Sequence, residues 1–267
     1  MELFDIKTIT WIVFTGWIAG TALLILGRKH KILQKGGMGL VIAGTAIMMI
    51  YIAGMWIELG RPLFKTLGET RLWYAFFLPL IGIITWFRWR YKWFLALSIC
   101  FGLIFLFMNY SHPENFDERL MPALQSPWFV PHVIVYMLGY SLLGASLLVS
   151  LKGLFQHYVK NKIHQPDLSM ADNFVYLGFS LLTLGLLFGA LWAKQAWGHY
   201  WTWDPKETWA FLTWLVYLVY LHYRHYVPKK PVTAYWNLAL AFVILLVAWF
   251  GVNYLPIAGE SIHTYRN

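Results

Sequence analysis

Charge and cysteine are what this chain of 267 residues has least of. Asp, Glu, Lys and Arg make up 12% of it, against roughly 25% in a soluble globular protein. Charge this sparse cannot cover the surface of a water-soluble fold. The single cysteine, Cys100, excludes an internal disulfide and any CxxC-type motif. The same composition excludes a disordered chain, a coiled coil and a disulfide scaffold. No low-complexity tract, usable internal repeat or soluble domain is recognisable.

What is present is apolar and aromatic. Hydrophobic residues are 59% and aromatics 19%, including 16 Trp, and the mean hydropathy is +0.55. Eight stretches without Asp, Glu, Lys or Arg run at about 9–27, 38–57, 72–87, 93–108, 130–151, 173–192, 209–222 and 232–252. Most approach the roughly 20 residues with which a helix crosses a bilayer, and flanking aromatics extend the shorter ones. Barrel strands would alternate polar and apolar residues, and no such alternation occurs. The expected fold is an all-α polytopic membrane protein of about eight transmembrane helices. The first stretch reads as a retained span, because Glu2 and Asp5 precede it and no small-residue cleavage site comes before Arg28.

The formal net charge of +9 divides unevenly between alternating connections. Segments 28–37, 88–92, 152–172 and 223–231 hold 13 Lys and Arg against two acids, Asp167 and Asp172. The termini with 58–71, 109–129 and 193–208 hold 8 against the other ten acids. The positive-inside rule then places the first set in the cytoplasm and both termini outside, N-out and C-out. Topology accounts for the basic excess, so no nucleic acid is expected as a partner.

The acidic face carries the candidate chemistry. Segment 193–209 packs Trp197, Trp201, Trp203 and Trp209 around Gly198-His199-Tyr200 and Asp204-Pro205-Lys206-Glu207. Asp204, Pro205 and Glu207 have the spacing of N-cap, N1 and N3, a capping box that starts the seventh span. Four tryptophans exceed what an interfacial anchor needs. Trp197 and Trp201, at i and i+4, would share a face if that stretch is helical. A flat aromatic platform suits a large planar apolar ligand. His132 and His263 fall on the same face as this loop, whereas His30, His157, His164 and His225 lie in the basic segments. His222 is inside a span, 13 residues beyond Trp209 and so about 20 Å deep. An ionisable residue at that depth is a functional candidate by default.

Trp197-Gly-x-x-Trp201-x-Trp203-Asp204 resembles the tryptophan-rich WWD signature of haem-handling membrane proteins. Its continuation, Pro205-Lys206-Glu207-Thr208, is most similar to the CcsA/ResC family of cytochrome c biogenesis proteins. Leu124 to Val133, Thr213 to His222 and Gly259 to Tyr265 resemble the family's histidine-bearing segments. Gly60-Arg61-Pro62 and Thr66 to Thr70 extend the likeness, less distinctively, into the first 110 residues.

The resemblance implies a four-helix membrane region over 1–110 and a haem-handling region over 111–267. It implies a haem b ligand, axially bound by His132 and His263 against Trp197, Trp201, Trp203, Asp204 and Trp209. His222 would be one ligand of a deeper haem station. No other histidine lies deep in a span, so a CcsB/ResB-type subunit is implied as the donor of the second. The implied role is presentation of haem for thioether attachment to the CxxCH of apocytochrome c, as part of a holocytochrome c synthase. No catalytic side chain is assigned, since joining vinyl groups to thiols requires placement rather than a nucleophile from the chaperone. The implied setting is a bacterial plasma membrane or a plastid thylakoid, with the haem site on the external face. A haem exporter or chaperone without a ligation role, and a scaffold whose Trp loop binds lipid or protein, remain alternatives.

Overall fold

Uncharged runs of this length leave peptide groups with no water to satisfy them, so each must close its own hydrogen bonds as a helix. The computed structural model describes residues 6–27, 30–64, 66–116, 126–162, 165–227 and 230–254. Among the described residues there is no strand. The α-helices are α1 (Ile6–Leu26), α2 (Lys31–Leu59), α3 (Leu67–Trp89), α4 (Lys92–Ser111), α5 (Phe129–Lys160), α6 (Gln165–Trp197), α7 (Pro205–Tyr226) and α8 (Pro231–Trp249).

Seven of these are long and apolar enough to cross a membrane. The exception is α7. Its 22 residues extend about 33 Å, enough for a hydrocarbon core of roughly 30 Å. Trp209, Trp214, Tyr217, Tyr220 and His222 interrupt its aliphatic residues and Lys206, Glu207 and Arg224 flank them, which lowers its hydropathy below that of the others. The protein is a multi-pass, all-α membrane protein.

Its surface has the polarity that lipid demands. Ile32 and Ile57 are 84% and 81% exposed, while Thr45, Ser141 and Ser146 are buried. The buried hydroxyls donate back to carbonyls of their own helices, Thr45 to Val41 at 2.9 Å and Ser141 to Met137 at 2.8 Å. Hydroxyls satisfied within one helix carry no desolvation cost into an apolar interior.

The helices differ from the apolar stretches chiefly at their ends. Segment 152–172, expected as a connection, is mostly helix, with α5 reaching Lys160 and α6 beginning at Gln165. Lys152 and Asp167 hide their charges in each other at 2.7 Å, and Arg224 forks onto Asp172 with a shortest contact of 2.8 Å. Charge marks the edge of an apolar window; it does not end a helix when it is paired.

The chain divides into two units, Met1–Leu120 and Met121–Asn267. In the first, α1 packs on α2 and α4, and α3 on α4. Gly20 and Gly37 let two backbones touch, since a Cβ on either would meet the other's carbonyl oxygen at 2.7 Å. Such small-residue contacts are how helices associate where burial from lipid gives no hydrophobic gain. Thr66 and Glu69 form a capping box at the start of α3, and the Glu69 carboxylate also takes both Arg61 guanidinium nitrogens, at 2.6 and 3.1 Å. In the second unit, α5 lies antiparallel against α6 and also contacts α8, while α7 packs on α6 and α8. The 129, 197, 205 and 249 ends of these helices therefore share one end of the unit.

Candidate functional site

The loop between α6 and α7 is shaped at both margins by residues already visible in the sequence. Gly198 ends α6: at φ 86° its N–H donates to the Lys194 carbonyl at 3.0 Å, the left-handed stop that glycine allows. Trp197 is the last helical residue, so Trp201 lies beyond the helix and the shared-face arrangement does not form. At the other margin Asp204 is the N-cap of α7. Its carboxylate accepts from the Lys206 N–H at 2.9 Å, and Glu207 accepts from the N–H groups of Asp204 and Thr202 at 3.2 and 2.8 Å. The capping box is present as the spacing required.

Between those margins the backbone is strained. Trp203 has φ 61°, a left-handed conformation costly for a bulky side chain, while its indole is 64% exposed. Trp201 and Trp203 meet edge to face at 5.7 Å, and Trp203 continues onto Phe211 at 6.0 Å. From there the rings pass through Trp214 to Phe179. The Trp201 indole N–H is buried and has no acceptor among the described residues. Burial pushes the Lys206 amine below the ordinary lysine range, with the Asp204 carboxylate pulling partly the other way.

His132 stands at the same end of the unit, in the first turns of α5. The chain reaches it through Ser126, whose hydroxyl bonds Gln195 of α6 at 2.8 Å and caps the Trp128 N–H at 3.2 Å. The His132 Nδ1 is 2.9 Å from the Gly185 carbonyl of α6. A carbonyl only accepts, so Nδ1 carries the proton and Nε2 carries the lone pair in the neutral ring. Tyr136 meets the imidazole edge to face at 4.7 Å, and Trp192 lies against it at 5.4 Å. Trp192 then touches Trp197 at 5.0 Å and Phe129 at 5.1 Å. His132 in its aromatic cage, linked through Trp192 to the strained tryptophan loop, forms the candidate site.

Comparison with known proteins decides the family. Residues 6–258 match the family described as cytochrome C assembly protein. This chain belongs to that family. Proteins called cytochrome c biogenesis protein CcsA are similar to it along nearly its whole length. The one from Guillardia theta is 32% identical, covering 90% of this chain and 89% of its own. Those from Chlamydomonas reinhardtii and Cuscuta reflexa are 32% and 31% identical, covering 94% and 88% of this chain and 73% and 86% of their own.

In this member of the family, the structure gathers some of the sequence candidates and separates others. His132 and Trp197 are joined through Trp192; Trp201 and Trp203 form a pair; Asp204 caps α7. Trp209 is half-buried in the early turns of α7, its carbonyl accepting from Thr213 at 2.9 Å. His222 lies 18 residues beyond Asp204 along α7, a distance of about 27 Å, and is exposed. Its Nδ1 bonds the Leu218 carbonyl at 2.9 Å, so it too presents Nε2. His263 lies outside the described residues. Sequence reasoning missed Phe129, Tyr136, Gly185, Gly189 and Trp192. The i, i+4 recurrence of Gly185 and Gly189, followed by Trp192, marks one α6 face but says nothing of what sits on it.

Proposed function

We propose that this protein receives haem and presents it for thioether attachment to the CxxCH of apocytochrome c, as the CcsA-type half of a synthase completed by a CcsB/ResB-type subunit. Family membership supports a role in cytochrome c maturation. The observation that carries the finer reading is His132, whose bond to Gly185 makes Nε2 its basic nitrogen inside an aromatic cage. Neutral imidazole in this tautomer is what an axial ligand of haem iron must be. The donor set fits haem in a second respect: the buried Trp201 N–H is an unmet donor among the described residues, and haem carries carboxylate acceptors. Trp197, Trp201, Trp203 and Trp209 would supply flat apolar contact, with Asp204 holding the loop against α7. His263 would be the second axial ligand. The haem would bring the vinyl groups and the chain would orient them; the one cysteine, Cys100, lies on α4 in the first unit.

His222 belongs in this reading to an inner station. Its exposure on α7 supports a second ligand brought by the partner subunit. The N-out, C-out topology puts the Trp loop on the external face.

The test is maturation of a CxxCH cytochrome in cells carrying the partner subunit. His132→Gly and His263→Gly should insert normally, lose maturation, and regain part of it with added imidazole. Normal maturation by both variants without imidazole would falsify the ligand assignment. Haem bound by a purified complex that matures nothing would leave delivery in place and remove ligation.

A further inference from the structure

The α6 backbone meets the His132 ring at two points, both of them glycines. Gly185 offers its carbonyl to Nδ1 at 2.9 Å. One turn on, Gly189 abuts the edge of the ring: a Cβ there would come within 2.8 Å of Cε1 and 2.9 Å of Nδ1, but 3.9 Å of Nε2. The imidazole thus turns its Cε1–Nδ1 edge to the α6 backbone and its Nε2 away. At Gly185 a Cβ would meet the Tyr136 ring at 3.1 Å, and Tyr136 closes another side of the imidazole. Trp192, one turn further along α6, closes the third.

We infer that Gly185 and Gly189 are positioning residues for His132, setting its tautomer and aiming Nε2 through the carbonyl of the first and the bare Cα of the second. The argument is steric as well as electronic. With a methyl group at 189 the ring cannot keep its place, and leaving it means breaking the Nδ1–H to carbonyl bond. A ring freed from that bond is no longer held to one tautomer, and its basic nitrogen no longer has one direction. Hydrogen bonding to the far nitrogen also makes a ligating imidazole more basic. The functional consequence rests on the proposed role of His132 as a haem ligand; the tautomer assignment does not.

The test uses the full chain in lipid nanodiscs with 15N-labelled histidine, the His132 signals being assigned as those missing from His132→Gly. In haem-free wild type, His132 should show a protonated Nδ1 and an unprotonated Nε2. Gly189→Ala should lose that single pattern, whereas Gly144→Ala, where a Cβ would make ordinary contact with Phe242 at 3.5 Å, should keep it. In the complex with the partner subunit, Gly189→Ala should retain haem about 10–100-fold less well, the usual range for lost outer-shell contacts. It should also shift the haem midpoint potential. In a His132→Gly background without imidazole, Gly189→Ala should add no further loss, because the ring it would displace is gone.

An Nε2-protonated ring in wild type, or an unchanged tautomer in Gly189→Ala, overturns the inference. So does an additive loss in the double variant. Full haem retention by His132→Gly, with the tautomer as expected, would sink the ligand reading and leave the positioning geometry standing.

Discussion

The two ends of the unit Met121–Asn267 differ in how they hold charge and backbone. At the end formed by residues 160, 165, 226 and 231, charge is paired across helices, although the Gln156 Oε1 and the Tyr223 and Tyr235 hydroxyls are buried without a hydrogen-bond partner among the described residues. Asp167 is buried against Lys152, and Asp172 takes the Arg224 guanidinium and the Tyr220 hydroxyl, the latter at 2.6 Å. At the other end an indole N–H is buried without an acceptor among the described residues, and a tryptophan is held left-handed and exposed. The first end holds helices together. The second accepts local backbone cost, the pattern in which functional sites are commonly found.

The sharpest way to break the contrast is at the paired end. Asp172→Asn removes the counter-charge of Arg224 in a half-closed environment, and should destabilise the protein by about 3–5 kcal/mol. Thermal unfolding in detergent measures this, and a loss below about 1 kcal/mol would mean the pair is solvated like a surface bridge. At the site end the sign should reverse. Trp203→Gly relieves a left-handed residue and should gain about 1 kcal/mol, the conformational penalty less glycine's extra unfolded entropy, while haem retention falls. A variant that is less stable than wild type would show that the exposed indole is packed and the strain argument mistaken.

Asp204 distinguishes cap from carboxylate. Asn caps nearly as well, so Asp204→Asn should be almost silent in stability, whereas Asp204→Ala should cost about 1 kcal/mol. Haem loss in a stable Asn variant would assign the charge itself a role. The smallest effect belongs to Lys206, in the first turn of α7 outside the apolar run. Its folded form holds a proton less firmly than the unfolded chain does. The resulting cost is full below the lowered folded pKa and fades as pH rises from there towards 10.5. Lys206→Gln should therefore exceed wild type in stability near neutral pH, with the gap closing in alkali; a gap independent of pH would remove the desolvation account.

Legibility followed range. The Asp204 cap involves residues two and three apart and was readable as local chemistry; the Gly198 stop is as local but came only with the structure. His132 was readable as a candidate from its place beside the aromatic loop and from resemblance, but its cage was not, because Gly185 and Trp192 lie more than fifty positions away. Segment 152–172 misled for the complementary reason. Its charges read as a solvated connection until Asp167 found Lys152 and Asp172 found Arg224 across helices.

Apolar length and missing charge by themselves determined a helical membrane protein, since backbone in lipid has no other way to satisfy its hydrogen bonds. The sequence alone also determined the loop's capping, because a cap is made by near neighbours. Only tertiary structure decided which nitrogen His132 presents, that His222 faces outward from α7, and that Trp201 leaves the helix Trp197 ends. These depend on which helix faces which and at what rotation. That is set by the summed packing of small residues, rings and paired charges from distant parts of the chain, and no single stretch encodes it.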